Sequence, residues 1–309
     1  MTEAARRLAA LKERFGAGRF VETNGARLHY ARLGDSGPPL ILIHGWPEFW
    51  LTWHRNLEAL AEDFTVYAID LRGFGESLCL NTRDDTPLTP AVVSADIAGF
   101  MDALGIERAG FAAHDVGANA MQTVARDHPD RVAALFFFNC PHPGIGKRWA
   151  DPDTIPAIWY QTFHQLDVAT RLVGYNRDTI RIYLGAMLNG WSHDPNCFDA
   201  DDLELWVETF SRPGALARSF SWYKAADAGR RRLMREGPPR DLSTVTAPTR
   251  VFWGAEDPII KPDWAAALAD VYSDIRIDLA PEAGHFVHYE QAEAANREMR
   301  AFFGEKLSA

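Results

Sequence analysis

Apolar residues run along this chain in two rhythms that alternate. Short unbroken apolar stretches at residues 38–43, 65–69, 108–113 and 132–138 have the composition of strands covered on both faces. Between them lie segments with apolar residues at helical spacing. Trp50, Trp53, Leu57 and Leu60 share one such face, and residues 89–104, with Pro90 at a first-turn position, form another helix. A hairpin is expected across residues 20–31, because Asn24-Gly25 supplies the positive φ angles that a two-residue turn demands. Strands and helices in this alternation predict a mostly parallel sheet with helices on both faces, an α/β fold.

The alternation stops after Asn139-Cys140-Pro141-His142-Pro143-Gly144. From there to about Leu242 no β-run occurs, only aromatic-rich helical segments at residues 156–166, 179–188, 201–210 and 215–225. The β/α rhythm then resumes, with strands at 249–253 and 275–279 and helices at 264–271 and 291–303. The expected organisation is one α/β core made of residues 1–140 and 243–309, with residues 141–242 inserted as a helical cap.

Composition narrows the partners. A net charge of −10 over 309 residues argues against a nucleic-acid or anionic membrane surface, and the short basic run Arg230-Arg231-Arg232 does not reverse that. The expected partner is a small, uncharged molecule; a homodimer stays open. Cys79, Cys140 and Cys197 show no paired spacing, so neither disulfides nor a cysteine metal site is expected. Residues 1–15 read as an amphipathic helix and not as a secretory leader, and no apolar run approaches a membrane span. These features point to the cytoplasm.

The candidate chemistry starts at Arg108-Ala109-Gly110-Phe111-Ala112-Ala113-His114-Asp115-Val116-Gly117-Ala118, where an apolar strand turns sharply into a helix. Small neighbours around Asp115 suit a nucleophile held on a tight elbow, although an Asp there could also simply cap the helix. A nucleophile needs a base, and the base an orienting acid, both at the carboxyl ends of later strands. Gly254-Ala255-Glu256-Asp257-Pro258 and Ala283-Gly284-His285-Phe286 lie there. Asp115, Asp257 and His285 then follow one another in the order nucleophile, acid, histidine. Glu256 could stand in for Asp257, and His288 is a second candidate base.

On these residues, with His44-Gly45-Trp46-Pro47 and Asp70-Leu71-Arg72-Gly73-Phe74-Gly75-Glu76-Ser77, the chain resembles the α/β-hydrolase family over nearly its whole length. Within that family it is similar to the soluble epoxide hydrolases and the dehalogenases that use an Asp nucleophile. The resemblance implies attack by Asp115 on a saturated carbon and hydrolysis of the resulting ester by water activated by His285. It also implies an oxyanion hole from the N–H groups of Trp46 and Val116, a cis Trp46–Pro47 bond, and no metal or cofactor. Epoxide opening calls for O–H donors in the cap. The family's two cap tyrosines fall on Tyr160 and Tyr223, with Tyr175 and Tyr183 as alternatives to Tyr160. Phe49, Trp50, Trp159 and Phe163 are expected to line an apolar pocket for a hydrophobic epoxide. A dehalogenase is the alternative activity, but Val116, Asn119 and Trp46 stand where that branch has arginine, tryptophan or asparagine side chains. A binding protein without turnover would have no use for all of Asp115, Asp257 and His285.

Overall fold

Every strand expected from the apolar runs forms. The computed structural model, which describes residues 2–80, 88–240 and 242–307, begins with helix α1 (Glu3–Arg14), capped by the Thr2 hydroxyl. Strands β1 (Arg19–Thr23) and β2 (Ala26–Leu33) pair antiparallel around Asn24 and Gly25, both at positive φ. After β3 (Pro39–Ile43) the chain makes a 3-10 turn at Trp50–Trp53 and a short α2 (Leu57–Ala61), where the apolar spacing suggests one continuous helix. All four residues of the turn are buried, which no single helical stripe provides.

There follow β4 (Thr65–Ile69), the short β5 (Leu78–Cys79), α3 (Pro90–Ala103), β6 (Ala109–His114), α4 (Asp115–Asp127) and β7 (Val132–Phe138). The next stretch is helical: α5 (Trp159–Phe163), α6 (Asp167–Val173), α7 (Arg177–Trp191), α8 (Ala200–Phe210) and α9 (Ala215–Glu236). Helix α6 has no counterpart among the expected segments, and α9 continues beyond residue 225 through the basic run until Gly237, at positive φ, ends it. An Asp227–Arg231 pair one turn apart supports that extension. Strands β8 (Thr249–Gly254) and β9 (Ile275–Ala280), then α10 (Val287–Glu290) and α11 (Ala292–Leu307), close the chain. Among the described residues no helix is long and apolar enough to cross a membrane.

The strands lie in the order β1-β2-β4-β3-β6-β7-β8-β9, with β5 on β2. From β4 to β9 the pairing is parallel. Parallel register sets the site, because it brings the carboxyl ends of different strands to one edge. Ile43 of β3 pairs with Ala113 of β6, so the segments that follow, His44-Gly45-Trp46 and His114-Asp115, emerge side by side. Asn139, Asp257 and His285 follow β7, β8 and β9 at the same edge.

Contact is close where α4 passes the end of β3: a Cβ on Gly117 would lie 2.4 Å from the His44 carbonyl oxygen. Alanine favours a helix over glycine by about 1 kcal/mol, whereas forced overpacking costs about 1–3 kcal/mol, and here the opposing atom is backbone. Gly117→Ala is therefore expected to lower the urea midpoint without changing the slope; a midpoint at or above wild type would show spare room at this turn.

Candidate active site

Strand β6 passes into α4 without a loop. Asp115 is the first residue of the helix and sits at φ +44°, a left-handed conformation that costs a non-glycine residue about 1–3 kcal/mol. The turn closes because Gly45 and Gly117 leave room; a Cβ on Gly45 would come within 2.7 Å of that of Asp115. His114, not Asp115, occupies the N-cap position, and no side chain caps the helix there. The Asp115 carboxylate instead accepts the Trp46 N–H at 3.1 Å, and also that of Val116. Burial raises its pKa, while His285, His114 and these N–H groups oppose the rise. The Trp46–Pro47 bond is cis.

His285 donates through Nδ1 to Asp257 Oδ2 at 2.9 Å, which leaves Nε2 as the free ring nitrogen. Asp257 is held from every side: Asn139 Nδ2 donates to Oδ2 at 2.6 Å, and the N–H groups of Ile259 and Ile260 donate to Oδ1 at 2.7 and 3.0 Å. Burial alone would depress the His285 imidazole, but Asp257, with Asp115 and Glu48 further off, outweighs it and raises the pKa to about 9. Burial works against the Asp257 carboxylate, yet His285 and Asn139 keep its pKa below the usual range. Asn139, at φ +40°, also reaches the Gly284 carbonyl and so joins the acid loop to the histidine loop. Its lack of charge gave no signal in the sequence.

Two of the weighed substitutes lie elsewhere. Glu256 pairs with His193 at the surface. His288 is fully buried, with Nε2 at 2.9 Å from Thr52 Oγ1 and 3.1 Å from Glu48 Oε1, and its pKa is depressed to about 4. Burial dominates that shift, so His288 is a neutral partner of Glu48. Glu48 Oε2 accepts from the Gly45 N–H at 2.6 Å and faces His114 Nδ1 at 2.7 Å, while His114 Nε2 donates to the His285 carbonyl at 2.9 Å. Glu48, His114 and His288 bring ligand atoms within 4.8 Å of one another. Those atoms already hold each other, and the trio ties the Trp46 loop, the elbow and the histidine loop together.

Across from Asp115, α5 and α9 present Tyr160 and Tyr223. The Tyr160 ring lies parallel to Trp46 with centroids 5.4 Å apart, and Tyr223 meets both edge-on, at 5.6 Å from Trp46 and 5.5 Å from Tyr160. Both phenols are buried, and both line a cavity of about 600 Å³ with Asp115 and Val116. Burial first, then the neighbouring phenol and the Asp115 charge, hold the Tyr223 hydroxyl well above the usual range. The cavity extends along two helices, past Asn119, Gln122 and Arg126 of α4 and past Ala226, Arg230 and Leu233 of α9. At 1.5 Å rise per residue, Asp115 and Arg126 lie about 16 Å apart along α4, so the cavity is long.

The expected pocket residues are placed otherwise. Phe49 packs on Trp206, and Trp50 on Phe15 and His29, because the 3-10 turn after β3 carries them into the core. Trp159 and Phe163, one turn apart on α5, share a face with Tyr183, and Trp159 is 49% exposed. The inward face of α5 carries Tyr160 and His164. Tyr175 is 80% exposed, and Tyr183 is bonded to His164. None of these six residues lines the cavity. Those that do, Gln122, Ala226 and Arg230 among them, are revealed by helical spacing only once the two helices are known to face one another.

A carboxylate on a β6–α4 elbow, followed by an acid after β8 and a histidine after β9, defines an α/β hydrolase. A family model described as alpha/beta hydrolase fold matches residues 38–292. The chain is 31% identical over 277 residues to the soluble epoxide hydrolase of Corynebacterium sp. (strain C12), covering 87% of this chain and 90% of that protein. Epoxide hydrolase 4 of Mus musculus is 27% identical over 293 residues, or 93% of this chain and 79% of its own. The solved structure of epoxide hydrolase CorEH without ligand superposes with TM-score 0.80 at 27% identity, covering 93% of this chain and 98% of that one. The chain belongs to the α/β-hydrolase family, in its epoxide hydrolase branch.

The His285 shift has a consequence for stability. An ordinary imidazole loses its proton near pH 6.5 and this one near 9, so the native state binds the extra proton between those values. The pair's contribution is complete below pH 6.5 and is lost as pH rises through about 9. Urea unfolding of wild type and His285→Gln at pH 6 and at the alkaline end should show the wild-type advantage shrinking with pH; a constant difference would contradict the Asp257–imidazolium pair.

Proposed function

We propose that the protein hydrolyses epoxides to vicinal diols through an ester on Asp115. The observation that carries this reading is the pair of phenols, Tyr160 and Tyr223, facing the Asp115 carboxylate across the cavity. A ring-opened epoxide leaves an alkoxide on the substrate, which needs an O–H donor at that place. In the proposed reaction an Asp115 oxygen bonds to a ring carbon, the C–O bond breaks, and a tyrosine proton goes to the departing oxygen. Esterification removes the Asp115 charge, one of the groups that hold the proton on His285. That proton returns through solvent to the phenolate, and the neutral imidazole then takes a proton from water as it adds to the Asp115 carboxyl carbon. The negative oxygen of the tetrahedral intermediate lies at the Trp46 and Val116 N–H groups. Collapse releases the diol and restores the Asp115 carboxylate and the His285 imidazolium.

The long cavity, whose wall is mostly apolar with Trp149, Trp222, Leu233, Ile259 and Ile260 on it, favours an elongated hydrophobic epoxide. Residues 141–242 act in this reading as a cap that supplies the phenols, and no step uses a metal or cofactor. We also place the protein in a reducing compartment, in keeping with its unpaired cysteine spacing.

Purified protein given aryl and alkyl epoxides, haloacetates and haloalkanes should yield diol without halide; halide without diol would refute the epoxide reading in favour of dehalogenation. Asp115→Asn should abolish turnover. His285→Gln should accumulate substrate mass on the peptide carrying Asp115, and a clean peptide in that variant would rule out the covalent route. Replacing both phenols, Tyr160→Phe with Tyr223→Phe, should slow ring opening by about 10²-fold or more and affect ester hydrolysis far less.

A further inference from the structure

The two phenols are not equivalent. Gln161 Nε2 donates to Tyr160 Oη at 3.3 Å, and Gln161 Oε1 accepts from Arg230 Nη1 at 2.6 Å. A guanidinium only donates, so its contact settles which end of the amide is oxygen and turns the NH₂ group toward the phenol. With a lone pair of Tyr160 occupied by that N–H, its single proton is directed elsewhere. Tyr223 has no such amide; its ring stands edge-on to that of Tyr160, with centroids 5.5 Å apart.

Arg230 lies seven residues after Tyr223 on α9, two turns along the same face, and its side chain is 16% exposed. Its carboxylate neighbour Asp227 is 3.7 Å away, while the same carboxylate takes both of its close contacts, 2.8 and 3.0 Å, from Arg231. Burial lowers the Arg230 pKa, with Asp227 and Tyr160 opposing. The chain thus keeps a largely buried, incompletely neutralised cation one amide away from a phenol. Facing the Tyr160 oxygen from the sheet are the carboxylates of Asp115 and Asp257, and from the cap Tyr223 and the neutral ring of His164. Burial and Asp115 both resist loss of the Tyr160 proton. Arg230 answers them from the cap side.

We propose that Arg230, acting through the Gln161 amide, is a positioning residue that makes Tyr160 the phenol whose proton goes to the epoxide oxygen, and that it stabilises the charge left behind. This rests on the epoxide hydrolase reading above. In the opening step the C–O electron pair stays on the substrate oxygen, which takes the Tyr160 proton. The O–H pair stays on Tyr160, where the Gln161 N–H, backed by Arg230, and the Tyr223 O–H receive it.

The test is single-turnover kinetics with styrene oxide, separating ester formation from ester hydrolysis. Arg230→Met is expected to slow ester formation by about tenfold, a fraction of what a whole general acid supplies, and to leave hydrolysis within twofold. Gln161→Leu should do the same, and the double variant should be no slower than either alone. Arg230→Lys should recover most of the loss, and Arg230→Met should cost nothing further in a Tyr160→Phe background. An effect within twofold, an equal slowing of both steps, or a full effect in the Tyr160→Phe background would overturn the relay while leaving the activity standing. Wild type that forms no diol would overturn the activity and the relay with it.

Discussion

The structure turns on one constraint: a carboxylate is buried at the end of a sheet, on the wall of the cavity. An isolated buried charge is costly unless hydrogen bonds and opposite charges surround it. Asp115 meets that requirement from three directions. Trp46 and Val116 supply N–H groups, His285 supplies opposite charge, and glycines at 45 and 117 let the backbones come close enough for these contacts. The left-handed turn at Asp115 persists because β3, β6 and α4 are already packed around it.

Behind this carboxylate lies a second layer of buried polar groups that fastens the loops. Glu48 links the Gly45 N–H, His114, Thr52 and His288. Asp70 receives His29, the Trp50 N–H and the Glu76 N–H, and Arg72 is paired with Asp96. His44 donates through Nδ1 to the Gly45 carbonyl and accepts the Leu71 N–H on Nε2, which fixes its tautomer. Such networks contribute little net stability when satisfied and are expensive when broken. Their effect here is to hold several loops in one arrangement.

The helical segment joins the core through the same loops. The Trp191 carbonyl at the end of α7 accepts the His285 N–H, and Glu290 accepts N–H groups from Gly284, Phe286 and His193. Trp46 has its backbone at Asp115 and its ring among those of Tyr160, His164, Trp191 and Tyr223. A shift of α5 or α9 would therefore move the phenols relative to the carboxylate.

Much of this was legible in the residues. Unbroken apolar runs mark buried strands because both faces of the sheet are covered, so the runs at 38–43, 65–69, 108–113 and 132–138 announce β3, β4, β6 and β7 to within a residue. Glycines and a charged residue where an apolar strand ends mark the elbow and the loops after β8 and β9, since only small residues fit where backbones meet. Other features are set by packing between segments far apart in sequence. Nothing local says that residues 50–53 form a tight turn facing the core, that Trp159 and Phe163 turn away from the cavity, or that Asn139 holds Asp257. The lengthwise run of the cavity between α4 and α9, and the meeting of Arg230, Gln161 and Tyr160, likewise exist only once two helices are placed against each other. Local patterning determined the strands and marked the loops at their carboxyl ends; the tertiary structure decided which side chains share a space, because that depends on helix-face orientation and no periodicity encodes the partner.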